Sequence, residues 1–228
     1  GRRLLALGPT PAAREPRRMT KALDPKTERR LQRAIDIGER LIVIFLFAIF
    51  AERLFQTIHL RPYNILAIIS EGFSVYLIVV RRAASAVTMR PLDWVAALIG
   101  TSLPMFVRAG GESVMPTAIG TAIMSAGLML AIWAKASLRH SFGMAAANRG
   151  PVSGGPYRGI RHPMYAGYIL VYVGFFLNNP LVWNIAIYAS AIAFQVARIM
   201  AEERILTLDP KYADYRSQVR HRLVPGIF

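Results

Sequence analysis

Six apolar segments, separated by short stretches rich in arginine and lysine, occupy most of this chain after its first 36 residues. Apolar runs of about 20 residues are typical of helices that cross a lipid bilayer; several of these runs are shorter than that, the third and the fifth most clearly. The pattern predicts an all-α protein, a polytopic bundle of about six transmembrane helices. The segments cover approximately residues 37–58, 63–80, 92–107, 114–134, 164–178 and 181–203.

The positions of the basic residues support this topology. If all six segments cross the bilayer, 23 of the 28 lysines and arginines fall on one side, and the loops on the other side carry only Arg61 and Arg108. Cytoplasmic loops of membrane proteins show such an excess of positive charge. We therefore expect an integral protein of a bacterial inner membrane with both termini in the cytoplasm.

Composition limits the other classes of function. A formal net charge of +15 could indicate a nucleic-acid-binding protein, but here the basic residues alternate with apolar runs, which favours a membrane and no nucleic-acid partner. The chain has no cysteine, which excludes disulfides, thiolate metal sites and a cysteine nucleophile. Its four histidines are far apart in the sequence and form no metal motif, so we expect no metal.

The chain divides into three predicted parts. Residues 1–36 form a basic cytoplasmic tail, of which 1–25 is expected to be mobile, whereas 26–40 could form a surface helix. Residues 37–134 contain the N-terminal transmembrane helices. Residues 135–228 contain a helical hairpin and a cytoplasmic tail, and they carry the motifs described next.

Two local features shape the predicted bundle. Gly120 and Gly127 give the fourth segment a surface of small residues, which allows another helix to approach closely. Asn178, Asn179 and Pro180 form a tight turn between the fifth and sixth segments, so these two helices are expected to fold back as a hairpin. A hairpin brings the start of the fifth helix next to the end of the sixth.

The most distinctive motif is Gly-Pro-Tyr-Arg-Gly-Ile-Arg-His-Pro-Met-Tyr-Ala-Gly at residues 155–167, around the start of the fifth segment. Pro163 can open a helix, because a residue in the first turn needs no N–H. The N-terminus of that helix, with Arg161 and His162 beside it, is suited to bind an anionic group such as a carboxylate or a phosphate. The alternative interpretation is a basic membrane anchor before a transmembrane helix.

A second polar block follows at the end of the sixth segment. Residues 198–206 read Arg-Ile-Met-Ala-Glu-Glu-Arg-Ile-Leu, and residues 211–216 read Lys-Tyr-Ala-Asp-Tyr-Arg. Glu202 and Glu203 can accept hydrogen bonds from a ligand, although Glu202 could instead form an i,i+4 ion pair with Arg198, worth only some tenths of a kcal/mol. Because the hairpin brings the start of the fifth helix next to the end of the sixth, both blocks should lie together in one cytoplasm-facing site.

The two blocks together resemble the isoprenylcysteine carboxyl methyltransferase family, a group of integral membrane methyltransferases, over roughly residues 135–225. The resemblance implies that the site binds S-adenosylmethionine and transfers its methyl group to a lipophilic acceptor that arrives from the bilayer. It also implies Arg161, Arg198 and Glu203 as catalytic residues. The residues expected to bind the cofactor are Tyr157, Arg161, His162, Pro163, Tyr165, Gly167, Glu202, Glu203, Tyr212 and Tyr215.

Each part of this donor would have a suitable partner. Glu202 and Glu203 could accept from its α-amino group or its ribose hydroxyls, and the tyrosine rings could stack on its adenine. Arg161 and His162 could bind its carboxylate, and the acceptor is expected to meet the donor near these two residues. An acceptor carboxylate or thiolate would need no general base and could be held by Arg161 or Arg198. An amine or alcohol would need His162 or Glu203 to remove a proton, and the sequence leaves this choice and the oligomeric state open.

Three charged residues lie inside apolar segments, where a charge is costly and usually faces the bundle interior. Glu52, Arg53 and Glu71 could line a substrate channel or form structural pairs, for example Arg53 with Glu71. Glu71, in the middle of its segment, is the strongest candidate for the channel. Weaker candidates for a cofactor loop, on the resemblance to the family, are His140, Ser141 and Phe142.

Two other functions are compatible with parts of the sequence. The tail from residue 211 to residue 226 is also similar to the end of membrane sterol reductases, which use NADPH, but those enzymes have more helices than this chain supplies. A scaffold or carrier without enzymatic activity would leave the polar residues at one end of the hairpin without a purpose.

Overall fold

The computed structural model describes residues 24–56, 58–59, 64–224 and 226, and in this part of the chain there are seven α-helices. Each of the six predicted apolar segments corresponds to one helix, which confirms the all-α membrane bundle; the seventh helix is polar. The helices are α1 (Pro25–Gln56), α2 (Asn64–Val80), α3 (Pro91–Ser102), α4 (Thr117–Leu138), α5 (Pro163–Asn178), α6 (Val182–Leu206) and α7 (Pro210–Gln218).

The helices differ in how well they suit a bilayer. Within the described residues, two stretches are long and apolar enough to span it, Thr117–Ser141 and Val182–Leu206. Two shorter apolar stretches lie in α2 and α5, at Ile68–Val80 and Pro163–Asn178. The six crossings, the orientation of the termini and the three-part division stay predictions, and most of the predicted mobile tail lies outside the described residues.

Two helices have boundaries that the apolar pattern did not give. α1 is continuous from Pro25, so the surface helix expected at 26–40 and the first apolar segment form one helix, because no proline interrupts them. The third segment divides into α3 and a 3₁₀ turn at Leu103–Phe106. Pro104 causes this division, since it cannot donate a helical hydrogen bond and its ring crowds the preceding turn.

α5 packs chiefly against α4, although the predicted turn joins it to α6. Gly120 and Gly127 of α4 face Gly174 and Gly167 of α5, and a Cβ added to any of the four would lie between 2.5 and 2.8 Å from the carbonyl oxygen of the facing glycine. The predicted small-residue surface is therefore confirmed. It fixes the position of α5, and with it the motif that begins this helix.

We expect Gly167→Ala to lower the free energy of unfolding by about 1–3 kcal/mol, the usual cost of overpacking a close contact. The new methyl group would lie 2.7 Å from the carbonyl oxygen of Gly127, and both backbones would have to separate. Gly154→Ala is the matched control, because no atom lies within 4 Å of the added Cβ there. Thermal unfolding in detergent, followed by circular dichroism, compares the two. Equal stability of both variants would contradict the close helix contact.

One end of the bundle, here called the motif end, holds the start of α5 and the end of α6. Two-residue strands, β1 (Ala86–Val87) and β2 (Ala147–Asn148), pair antiparallel and join the loop after α2 to the loop after α4. The chain after α7 returns to the motif end and forms backbone hydrogen bonds with residues 161–162. Both sequence blocks therefore meet there, as the hairpin predicted.

Candidate active site

Glu203, in the last turn of α6, is the centre of a buried charge cluster. One of its carboxylate oxygens lies 2.7 Å from Arg161 Nε and 3.3 Å from His162 Nε2, and the other accepts from Arg222 Nε at 2.9 Å. The Tyr212 hydroxyl of α7 lies 3.5 Å away. Only 6% of the Glu203 side chain is exposed, so its charge depends on these partners for compensation. The cluster joins α5, α6, α7 and the C-terminal tail.

Arg161 also holds the C-terminal tail in place. Its Nη1 donates to the carbonyls of Val219 and Arg220 at 2.9 and 2.7 Å. The backbone N–H groups of Arg161 and His162 donate to the carbonyls of residues 221–222, each at 2.9 Å. The tail therefore covers the loop before α5, and much of the hydrogen-bonding capacity that the sequence offered to a ligand carboxylate is used within the protein.

Glu202 has a different set of partners from its neighbour Glu203. The Tyr165 hydroxyl donates a short hydrogen bond to one Glu202 oxygen, and His162 Nδ1 lies 3.8 Å from the other. The ion pair with Arg198 that the sequence allowed is not formed. The Glu202 side chain is 22% exposed, so of the two glutamates it is the one that a ligand can reach.

A cavity of about 80 Å³, here called the polar cavity, lies beside the charge cluster. Seven of the predicted cofactor-binding residues line it, namely Tyr157, Arg161, His162, Tyr165, Glu202, Tyr212 and Tyr215. The loop after α4 adds Ser141 and Phe142, two of the weaker candidates. Three predicted residues are not part of its lining. Pro163 is the first residue of α5, Gly167 packs against α4, and Glu203 is the centre of the charge cluster.

The tyrosines of the loop and of α7 are protonated at neutral pH. Burial raises the pKa of Tyr157 well above its usual value and that of Tyr215 to about 12. The Tyr215 hydroxyl donates to the Tyr157 carbonyl at 2.7 Å, and the Tyr212 and Tyr215 rings lie 5.7 Å apart. These phenols can therefore act as hydrogen-bond donors and stacking surfaces, but not as bases.

A second cavity of about 200 Å³, here called the apolar cavity, lies inside the bundle and is lined by residues from α1 to α6. Phe142 and Met164 line both cavities. The ring of Tyr165, which lines the polar cavity, lies 5.3 Å from the guanidinium of Arg198, which lines the apolar one. The two cavities therefore adjoin at Phe142, Met164 and Tyr165.

α6 contributes two polar residues to the apolar cavity, Arg198 and Gln195. Arg198 donates to the Thr101 hydroxyl at 3.2 Å and to the Met144 carbonyl at 3.1 Å, and its Nε has no hydrogen-bond partner in the described part of the chain. Gln195, one turn earlier, donates to the Tyr172 hydroxyl at 2.7 Å, and its buried amide oxygen is also unpaired there. Buried polar atoms normally have partners, so these two indicate a ligand.

Glu71 lines the apolar cavity, as its position in the second segment predicted. Its partner is Lys135 of α4, whose fully buried Nζ lies 2.9 Å from the carboxylate and also contacts Ser70. The alternative pair with Arg53 is therefore wrong, and Arg53 donates to the Met105 carbonyl at 3.5 Å. The position of Glu71 in the middle of an apolar segment indicated that a residue of opposite charge pairs with it, and the structure identifies this residue as Lys135.

Two further residues at the cavities were missed by sequence reasoning. Gln195 is an amide in an apolar helix, three residues before Arg198. This spacing places both side chains on one face of the helix, and it was the signal that could have found Gln195. Arg149 lines the polar cavity, but in the sequence it counted only as one more basic loop residue. Glu52 and His140, by contrast, are exposed and line neither cavity.

Comparison with known proteins finds a partial similarity in sequence and a similarity in fold. Residues 115–209, from just before α4 to the turn after α6, match the model of the phospholipid methyltransferase family. No curated protein matches the chain significantly. These residues include the paired glutamates and most of the lining of the polar cavity, whereas most of the lining of the apolar cavity lies before residue 115.

The fold has a counterpart among solved structures. The eukaryotic intramembrane Ras methyltransferase ICMT, isoprenylcysteine carboxyl methyltransferase, matches with a TM-score of 0.51 at 18% sequence identity, over 90% of this chain and 87% of that one. The resemblance indicated by the two sequence blocks therefore extends to the fold. The chain is therefore similar to methyltransferases in its fold and, over residues 115–209, in its sequence.

Proposed function

We propose that this protein transfers a methyl group from S-adenosylmethionine to a lipophilic acceptor in the membrane. The observation that carries the proposal is the meeting of a polar and an apolar cavity at Phe142, Met164 and Tyr165. A methyltransferase must hold a water-soluble donor and a lipophilic acceptor in contact and in line. Two adjoining cavities, one lined by the charged residues of the motif end and the other lying inside the helical bundle, supply that arrangement.

The donor is assigned to the polar cavity. Glu202 is accessible there, and its carboxylate can accept from the α-amino group or the ribose hydroxyls. Tyr157, Tyr212 and Tyr215 offer ring surfaces to the adenine. Glu203 would act indirectly in this arrangement, because it fixes the loop and the tail that close the cavity.

The acceptor is assigned to the apolar cavity, with its reacting group beside Arg198. The buried guanidinium of Arg198 donates to the neutral groups of Thr101 and Met144, and its Nε is unpaired, so an anionic group beside it is favoured. A protonated amine would be repelled at the same place. Among the carboxylate, thiol and amine acceptors that the sequence allows, these contacts therefore favour a carboxylate or a thiolate over an amine.

The chemistry follows from this placement. The donor supplies an activated methyl group on a sulfonium, and an acceptor carboxylate is already a nucleophile, so no general base is needed. Arg198 would orient the carboxylate, and the surrounding apolar side chains would exclude water from it. Glu203 is not available as a base in this scheme, because Arg161 and Arg222 both bind its carboxylate.

The two substrates would enter by different routes. A lipophilic acceptor would come sideways from the bilayer, since its apolar part is costly to expose to water. The expected meeting of donor and acceptor near Arg161 and His162 stays a prediction: these two residues line the polar cavity, and the apolar cavity reaches Met164, Gln195 and Arg198. The donor would enter from the cytoplasm, on the side proposed for both termini.

We expect methyl transfer to rise with the chain length of a carboxylate acceptor. Each buried methylene contributes about 0.8 kcal/mol, so kcat/KM should increase up to about fourfold per methylene until the cavity is full. The measurement uses purified protein in lipid nanodiscs, labelled S-adenosylmethionine, and matched alkyl carboxylates and alkylamines. A preference for short, water-soluble acceptors, or for the amines, would contradict the proposed acceptor.

A further inference from the structure

Arg149, in the loop after α4, is a buried cation without an adequate counter-ion. Its side chain is 3% exposed, and among the described residues the carboxylate within reach is that of Glu39, at 4.0 Å. Its Nε has no hydrogen-bond partner there. Burial and the neighbouring Arg81 cation lower the pKa of the guanidinium to about 10, so it is still charged at neutral pH.

Glu39 cannot supply the missing charge, because other groups already use it. Arg81 binds the two Glu39 oxygens with Nη1 at 2.7 Å and Nη2 at 2.9 Å, and the backbone N–H groups of residues 144–145 donate to the same carboxylate at 2.8 and 3.2 Å. Arg81 and Arg40 both pair with Asp36. Three guanidiniums therefore share two carboxylates, and the excess positive charge falls on Arg149, whose contact with a carboxylate is the longest, at 4.0 Å. Such a charge is costly in a buried position unless an anion binds.

The position of Arg149 shows which ligand could bring that anion. The residue lines the polar cavity together with His162 and Glu202. A Cβ on Gly143 would lie 2.4 Å from Arg149 Nη1. A larger residue at position 143 would therefore clash with the guanidinium in its present position. The other cation at the cavity, Arg161, is bound to Glu203 and to the tail.

We propose that Arg149 binds the carboxylate of the methyl donor. This inference rests on the proposed function and assigns a residue to a part of the donor that Arg161 was expected to hold. Glu202 and Arg149 line the same cavity, so the α-amino group and the carboxylate of one amino acid would each have a partner of opposite charge.

The test compares two ligands that differ only in this carboxylate. S-adenosylhomocysteine and its decarboxylated analogue are titrated calorimetrically into the protein in nanodiscs of neutral lipid, which carry no anionic headgroup. The wild type should bind the carboxylated ligand about 10- to 100-fold more tightly, the value of a charge-assisted hydrogen bond. Arg149→Gln should remove this preference and leave the affinity for the analogue unchanged, and Arg149→Lys should restore part of it.

Arg82→Gln is the matched control, because Arg82 is an exposed arginine of a neighbouring loop and should have no effect. Equal weakening of both ligands by Arg149→Gln, or no weakening of either, would overturn the assignment. If Arg149→Gln changes binding only in nanodiscs of anionic lipid, Arg149 binds a lipid headgroup, and its assignment to the donor carboxylate is overturned as well. If the wild type binds neither ligand, the proposed function itself has failed.

Discussion

Glu203→Gln should destabilise the protein by about 3–5 kcal/mol, the usual cost of removing one partner from a buried ion pair. Glutamine keeps the shape of the side chain but not its charge, so the buried guanidinium of Arg161 would lose the carboxylate 2.7 Å from its Nε. The contact with Arg222, which fixes the tail, would weaken too. The measurement is the free energy of unfolding in detergent.

The adjacent residue provides the control for this prediction. Glu202→Gln changes the same group one position away, but Glu202 is partly exposed and pairs with a neutral hydroxyl of Tyr165. We expect its effect on stability to be small. A Glu203→Gln variant that is as stable as Glu202→Gln would show that the buried cluster does not hold the motif end together.

Arg198→Met should lower kcat/KM for methyl transfer by about 100- to 1,000-fold, the range found when one electrostatic contact to a reacting group is removed. Methionine retains much of the side-chain volume and removes a buried charge, so stability should not fall as it does in Glu203→Gln. The affinity for S-adenosylhomocysteine should not change, because Arg198 lines the apolar cavity and not the polar one. Rate and affinity are measured on the same preparation.

Arg204→Met is the matched variant for this experiment. Arg204 lies on the same helix, and its side chain is 39% exposed in a salt bridge with Asp93. It should retain full activity. Unchanged methyl transfer in Arg198→Met would show that Arg198 does not take part in the reaction. If the affinity for S-adenosylhomocysteine falls as much as kcat/KM, Arg198 contacts the donor and not the acceptor.

The helices and their meeting point could be predicted from the sequence, because they depend on local patterns. Apolar runs define the helices, Gly120 and Gly127 define a close contact, and the turn at residues 178–180 reverses the chain. The convergence of the two blocks followed from these features alone. Which helix would fill the close contact did not, since that depends on complementary glycines in α5 whose pairing is visible only in three dimensions.

The role of each residue within the site could not be predicted, because it depends on contacts between residues that are distant in the sequence. Glu202 and Glu203 are chemically identical in sequence, and the positions of Tyr165 and the tail decide which one faces the cavity. The partner of Glu71 is 64 residues away, at Lys135. In the sequence Arg149 looks like any other loop arginine, and only the structure shows that it is buried beside a carboxylate that Arg81 already binds.

The most direct test of the account is a calorimetric titration of the wild type and of Glu202→Gln with S-adenosylhomocysteine and with NADPH. The account predicts that the wild type binds S-adenosylhomocysteine and not NADPH. It further predicts that Glu202→Gln weakens this binding roughly 10- to 100-fold, as expected for the loss of a charged hydrogen-bond partner. Binding of NADPH without S-adenosylhomocysteine, or equal affinity of the two proteins for S-adenosylhomocysteine, would contradict a methyl-donor site in the polar cavity.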